Sequence, residues 1–127
     1  MEAFRLIISC ISTLIICILD IILGYCLAYH PPKEINGFYG YMSKYAKKSP
    51  EAWSFAQNYM GRCLFRFGII TLILLVPVYF VISRQDNFYD LRYMLLIVQL
   101  ITGLIARVMT EYALRKKFNN DGTIKTS

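Results

Sequence analysis

Asp20, Gln99 and Arg107 are polar residues set within long apolar runs. A carboxylate deep in a bilayer costs about 2.5–3.5 kcal/mol on insertion scales, so it must be neutral, paired or turned to a wet cavity. Asp20 precedes Tyr29, the end of its run, by about 13 Å at ~1.5 Å per helical residue. Arg107 stands close to the same end of a different run, so the spacing predicts an Asp20–Arg107 ion pair between helices. Gln99 and Thr71 are alternative partners for the acid, and Glu111 competes for Arg107 at i,i+4 spacing. Such a pair would either fix the register of a bundle or form part of a ligand or proton site. Catalysis is not indicated. Asp20 is the one acid well inside an apolar run, and no Ser, Cys or His is arranged as an activated nucleophile. Cys10, Cys17, Cys26 and Cys63 form no CxxC pair, and the lone His30 has no ligand partner, so neither a metal nor a cofactor is expected. "GFYG" is not a phosphate-binding loop.

The elements that must position these residues are apolar and long. Hydrophobic residues make up 57% of 127 positions, with a mean hydropathy of +0.46. A soluble domain of this size needs more polar cover. Three runs, about 6–29, 64–83 and 91–112, are each long enough to cross a hydrocarbon core of about 30 Å. The first is too long for a signal-peptide core and lacks a small-residue cleavage site, so it reads as an uncleaved span. The chain is therefore predicted to be one all-α, polytopic membrane domain over 1–127. Its parts are three transmembrane helices, a connector over 30–63 and a tail over 113–127.

Charge sets the predicted orientation. Of 14 Lys and Arg residues, only Arg5, Arg84 and Arg92 fall outside the connector, the tail and the adjoining span ends. The positive-inside rule then puts the connector and C-terminus in the cytoplasm and the N-terminus outside. The net charge of +6 is explained by this bias and by attraction to anionic lipid headgroups, without direct nucleic-acid binding.

The connector is unusual in its own right. After Pro31 and Pro32 stop the first helix, residues 36–53 concentrate Phe38, Tyr39, Tyr41, Tyr45 and Trp53 among Lys44, Lys47 and Lys48. Ser49-Pro50-Glu51 is a helix start: a capping hydroxyl, a proline at the first helical position and an acid in the first turn. A short amphipathic helix is predicted from there to about Met60, lying at the membrane interface with Trp53 in an aromatic belt and a bend at Gly61 before the second span. In the tail, Asn120-Asp121-Gly122 predicts a turn, after which the chain is expected to fray.

The connector resembles the signature of the SdpI family, bacterial membrane proteins grouped around an immunity protein against a secreted peptide toxin. Pro32 and Asn36 precede Gly40-Tyr41; Lys48, Ser49, Glu51, Trp53, Ala56 and Gln57 follow in the family's spacing, and "LRKKFNNDG" is similar to its ending. Met42 stands where the family has Arg, Ser43 where it has Thr, Ala46 where it has Ser and Lys47 where it has Met. The resemblance implies a multi-pass protein of the bacterial cytoplasmic membrane that protects against a membrane-active peptide toxin. It also implies docking of a cytoplasmic repressor-type protein. Asn36, Gly40, Tyr41, Lys48, Glu51, Trp53 and Gln57 are the ligand- or partner-binding residues it implies. Two other readings stay open. One is a small transporter or lipid-headgroup binder with Asp20, Gln99 and Arg107 along a polar path. Three spans are few for such a path, so it needs a homo-oligomer, with Gly24 and Gly103 permitting close packing. The other is an accessory subunit of a larger membrane complex.

Overall fold

The computed structural model describes residues 2–82, 84–85 and 88–126. Three long helices dominate: α1 (Glu2–Tyr29), α2 (Pro50–Ile82) and α3 (Phe88–Lys117). All three are long and apolar enough to cross a membrane. The molecule is a multi-pass membrane protein of all-helical class, as the composition requires. Ser83, at the end of the second predicted span, and Asp86 and Asn87, between the second and third, lie outside the described residues.

The faces follow helical periodicity. On α1, Ile7, Ile11, Ile15, Ile18 and Ile22 form an exposed stripe. Ser9, Thr13, Cys17, Gly24 and Leu27 recur on the opposite, buried face. The arrangement suits a bilayer, where a leucine gains nothing by leaving lipid for protein and small residues let backbones approach. The approach is closest where Gly24 of α1 meets Gly61 of α2. A Cβ on Gly24 would stand 2.8 Å from the Gly61 carbonyl oxygen, and one on Gly61 would stand 2.7 Å from the Leu27 carbonyl carbon. Glycine is required there because any side chain would enter the partner's backbone. Gly24 thus serves packing within the chain, whereas Gly103 faces open space.

α3 joins the pair through polar contacts at the end away from the connector. Arg92 Nη1 donates to Ser9 Oγ at 2.8 Å. Gln99 Nε2 donates to the Thr13 carbonyl at 3.3 Å and lies 3.0 Å from Cys17 Sγ.

Two local expectations are corrected. The amphipathic segment is not a separate interfacial helix; it is the beginning of α2, which runs unbroken through Gly61. A single glycine costs a helix only about 1 kcal/mol, and here its backbone is held against α1. The tail does not fray after its turn. The Lys125 N–H donates to the Lys117 carbonyl at 2.9 Å, and Phe118 and Ile124 form an antiparallel bridge.

Candidate functional site

The connector, the start of α2, the end of α3 and the tail form one packed head. It begins at the helix start read from Ser49-Pro50-Glu51. Ser49 Oγ accepts from the Ala52 N–H at 3.0 Å, capping α2, and its hydroxyl also donates to the Gly122 carbonyl at 2.7 Å. One side chain thus ties the helix start to the tail.

Trp53 fills the centre and has no exposed surface. Its indole N–H donates to the Pro32 carbonyl at 2.9 Å, which pins the beginning of the connector over α2. Tyr41, Tyr45, Ala46, Ala52, Ala56, Leu114 and Phe118 are buried with it. This corrects the assignment of Trp53 to an aromatic belt. An apolar cover drawn from the connector and from α3, far along the sequence, removes it from both water and headgroups. Tyr25, Tyr29, Phe38, Tyr39 and Tyr112 are among the rings left exposed at this end.

Gln57 supplies the polar lock. It is fully buried, and its amide pairs with the backbone of Tyr41 in both directions. The Tyr41 N–H donates to Oε1 at 2.6 Å, and Nε2 donates to the Tyr41 carbonyl at 2.8 Å. A buried amide satisfied in this way adds specificity without an orphaned group. The neighbouring Gly40 makes the approach possible: its φ is +106°, a region that favours glycine. Asn36 closes the preceding turn, its Oδ1 accepting from the N–H groups of Phe38 and Tyr39 at 2.9 and 2.8 Å.

Charge ties the head to α3. The Tyr41 hydroxyl donates to Glu111 Oε2 at 2.8 Å, while Glu111 Oε1 lies 3.6 Å from Arg115. Burial, then that hydrogen bond and the nearby carboxylate charge, push the Tyr41 phenol up to about 12. The Tyr45 hydroxyl donates to the Phe118 carbonyl at 2.7 Å, and Arg115 lies over the Tyr45 ring. Lys48 Nζ donates to the Asn120 carbonyl and also covers Tyr45. In the tail turn, Asp121 is held below its ordinary range by hydrogen bonds from the Thr123 hydroxyl and N–H.

The seven connector-region residues singled out by sequence therefore share one structure but not one role. Asn36, Gly40, Tyr41, Trp53 and Gln57 build the head, whereas Lys48 and Glu51 remain exposed. Glu51, Asn58, Arg62 and Lys117 rim a polar groove of about 630 Å³ beside the start of α2. Glu111, Leu114 and Phe118 were missed as members of this assembly. The signal available for Leu114 and Phe118 was the tail's similarity to the family ending, which begins after Glu111.

The intramembrane polar residues are not brought together. Asp20 makes no ion pair or hydrogen bond with Arg107. It lies beside Gly68 of α2, where its Cβ would be 3.3 Å from a Cβ added to the glycine. Gln99 is occupied with α1, and Glu111 pairs with Arg115 rather than Arg107. The reason is the face each residue occupies: Asp20 stands against Gly68 of α2, whereas Arg107 lines the space between α1 and α3. Between them opens a second cleft, of about 710 Å³, whose lining includes Leu23, Leu27, Met60, Leu104 and Arg107.

A family model described as the SdpI/YfhL protein family matches residues 33–110, more than half of the chain. The match takes in the connector, α2 and most of α3. No curated protein and no solved structure matches the chain.

Proposed function

Because the chain belongs to the SdpI/YfhL protein family, we propose that it is a non-catalytic immunity and signalling protein of the bacterial cytoplasmic membrane. In this reading it protects its cell from a secreted membrane-active peptide toxin. The N-terminus is outside, and the head, with its flanking Lys and Arg residues, is cytoplasmic. The observation that supports the reading best is the head itself. A loop that merely joined two spans would not need a fully buried Trp and Gln, nor hydrogen bonds to α3 and the tail. A rigid platform on a membrane bundle suits recognition, because pre-ordering lowers the cost of binding.

The spans would meet the peptide in the membrane. The exposed groove around Glu51, Asn58, Arg62 and Lys117 would dock a cytoplasmic repressor-type regulator through its mixed charges. Lys48 and Glu51 are the residues of the original set able to touch such a partner. The other five act by holding the surface in place.

The test is survival. The chain is expressed in a bacterium sensitive to a sporulation-delaying-type peptide toxin, insertion is confirmed, and killing curves are recorded. Expression should raise survival. Glu51→Arg should leave survival intact while weakening the toxin-dependent response of a reporter under the regulator's control. A fully inserted protein whose killing curve equals that of cells lacking it overturns the reading.

A further inference from the structure

The cleft between α1 and α3 is separate from the polar groove and borders the packed head at Gly40 and Tyr41. Its walls are mainly apolar, with Leu23 and Leu27 on α1 facing Leu100 and Leu104 on α3. Met60 and Leu64 of α2 form its floor, and the connector around Tyr39 roofs it. Arg107 is the one charged side chain in the lining. Its guanidinium has no carboxylate partner among the described residues, since Asp20 faces α2 and Glu111 is taken by Arg115 and Tyr41.

Depth gives the cleft a polarity. Ala106 packs with Leu27 and Leu64 just inside the head, and the exposed Arg62 and Arg66 of α2 flank that same level. Cations at this height mark the headgroup boundary. From Arg107 the cleft descends along α3 to Leu100, about 10 Å deeper at ~1.5 Å per residue. A fixed cation at the headgroup boundary above a leucine-lined trough complements an amphiphile with an anionic head and a hydrocarbon tail. We propose that this cleft is a binding site for an anionic phospholipid, its phosphate on Arg107 and an acyl chain lying between Leu23 and Leu104. The abundance of Lys and Arg at this end of the bundle enriches such lipids around it. Arg is suited to the task because its planar fork can hold two phosphate oxygens at once.

The proposal is independent of toxin protection and is tested on the purified full chain by native mass spectrometry. The probes are phosphatidylglycerol and phosphatidylcholine with identical acyl chains. The wild-type chain should retain phosphatidylglycerol about tenfold better, the scale of a charge-assisted hydrogen bond. Arg107→Gln should erase the preference. Gly103→Leu, at a position where an added Cβ meets nothing within 4 Å, should fill the trough and reduce retention of both lipids. Arg62→Gln, outside the cleft lining, should leave the preference in place. Equal retention of the two lipids, or a preference unchanged by Arg107→Gln, overturns the proposal. So does displacement of the lipid by glycerol phosphate at equal concentration, which would mean that the trough is unused. Preferential retention of an apolar peptide with a free C-terminal carboxylate, lost in the same variants, would assign the cleft to a peptide and overturn the lipid assignment.

Discussion

At the head, Trp53 and Phe118 lie under a cover of tyrosines, and Gln57 closes the cover with two hydrogen bonds. In the membrane half, the buried face of α1 is built from Ser9, Thr13, Cys17 and Gly24 instead. The same chain solves packing twice, under two solvents. Where water is present, large rings gain by leaving it, and burying one is worth several kilocalories. Where lipid is the solvent, that gain vanishes, and backbone proximity and interhelical hydrogen bonds take over. Aromatic bulk therefore accumulates in the head, and glycine marks the helix crossing.

The contrast can be broken most strongly at its aromatic pole. Trp53→Ala should cost about 3–5 kcal/mol within the head, the usual range for truncating a buried aromatic. The loss should stay local. Limited proteolysis should open the connector, while helical circular dichroism of the detergent-solubilised protein stays close to wild type. Because the side chain has no exposed surface, a loss of protection in this variant would report a collapsed head rather than a missing ligand contact.

A glycine pair sharpens the membrane half. Gly61→Leu drives a side chain into the α1 backbone and should destabilise the bundle by about 1–3 kcal/mol or more. Gly103→Leu meets open space and should be nearly neutral for folding. Thermal unfolding of the two variants in the same detergent checks the difference; equal midpoints would show that close α1–α2 approach is not what holds the bundle.

The smallest effect is at the junction of the head and α3. Tyr41→Phe removes the hydrogen bond to Glu111 and should cost about 1–2 kcal/mol at neutral pH. The alkaline behaviour adds a signature. The Tyr41 phenol ionises near 12 in the folded protein against 10.0 ordinarily, so the fold favours its protonated form. That contribution is fully present below pH 10 and is lost as pH rises through about 12. Wild-type stability should fall more steeply than that of Tyr41→Phe across this window, as measured by denaturant titrations at matched pH.

Much of the membrane half is legible in the sequence because its cause is local composition: a run of twenty apolar residues can be read without knowing what it touches. The start of α2 is legible for the same reason, since Ser49, Pro50 and Glu51 each act within one turn. What Trp53 does is not local. Its burial depends on Pro32, Leu114 and Phe118, residues spread from the connector to the end of α3, and an aromatic beside a span has the same sequence signature whether it faces headgroups or a core. Asp20 and Arg107 failed as a pair for a related reason. Depth along a helix can be counted from sequence, but which neighbour a given face of the helix meets cannot. The family pattern gathered residues that lie in or against one packed head, yet it does not separate those that build the surface from those on it.

The bonds from Tyr41 to Glu111 and from Tyr45 to Phe118 join residues 70 and 73 positions apart. During synthesis the connector is made first and must wait through two further spans for its partners. Until α3 has been inserted, Tyr41 and Tyr45 lack their hydrogen-bond acceptors, and Trp53 lacks the side of its cover that Leu114 and Phe118 provide. Closure of the head is therefore a late step in biogenesis. A chain halted before the third span would display its aromatic connector to chaperones and proteases, and a chain that has shut its head has already placed all three helices.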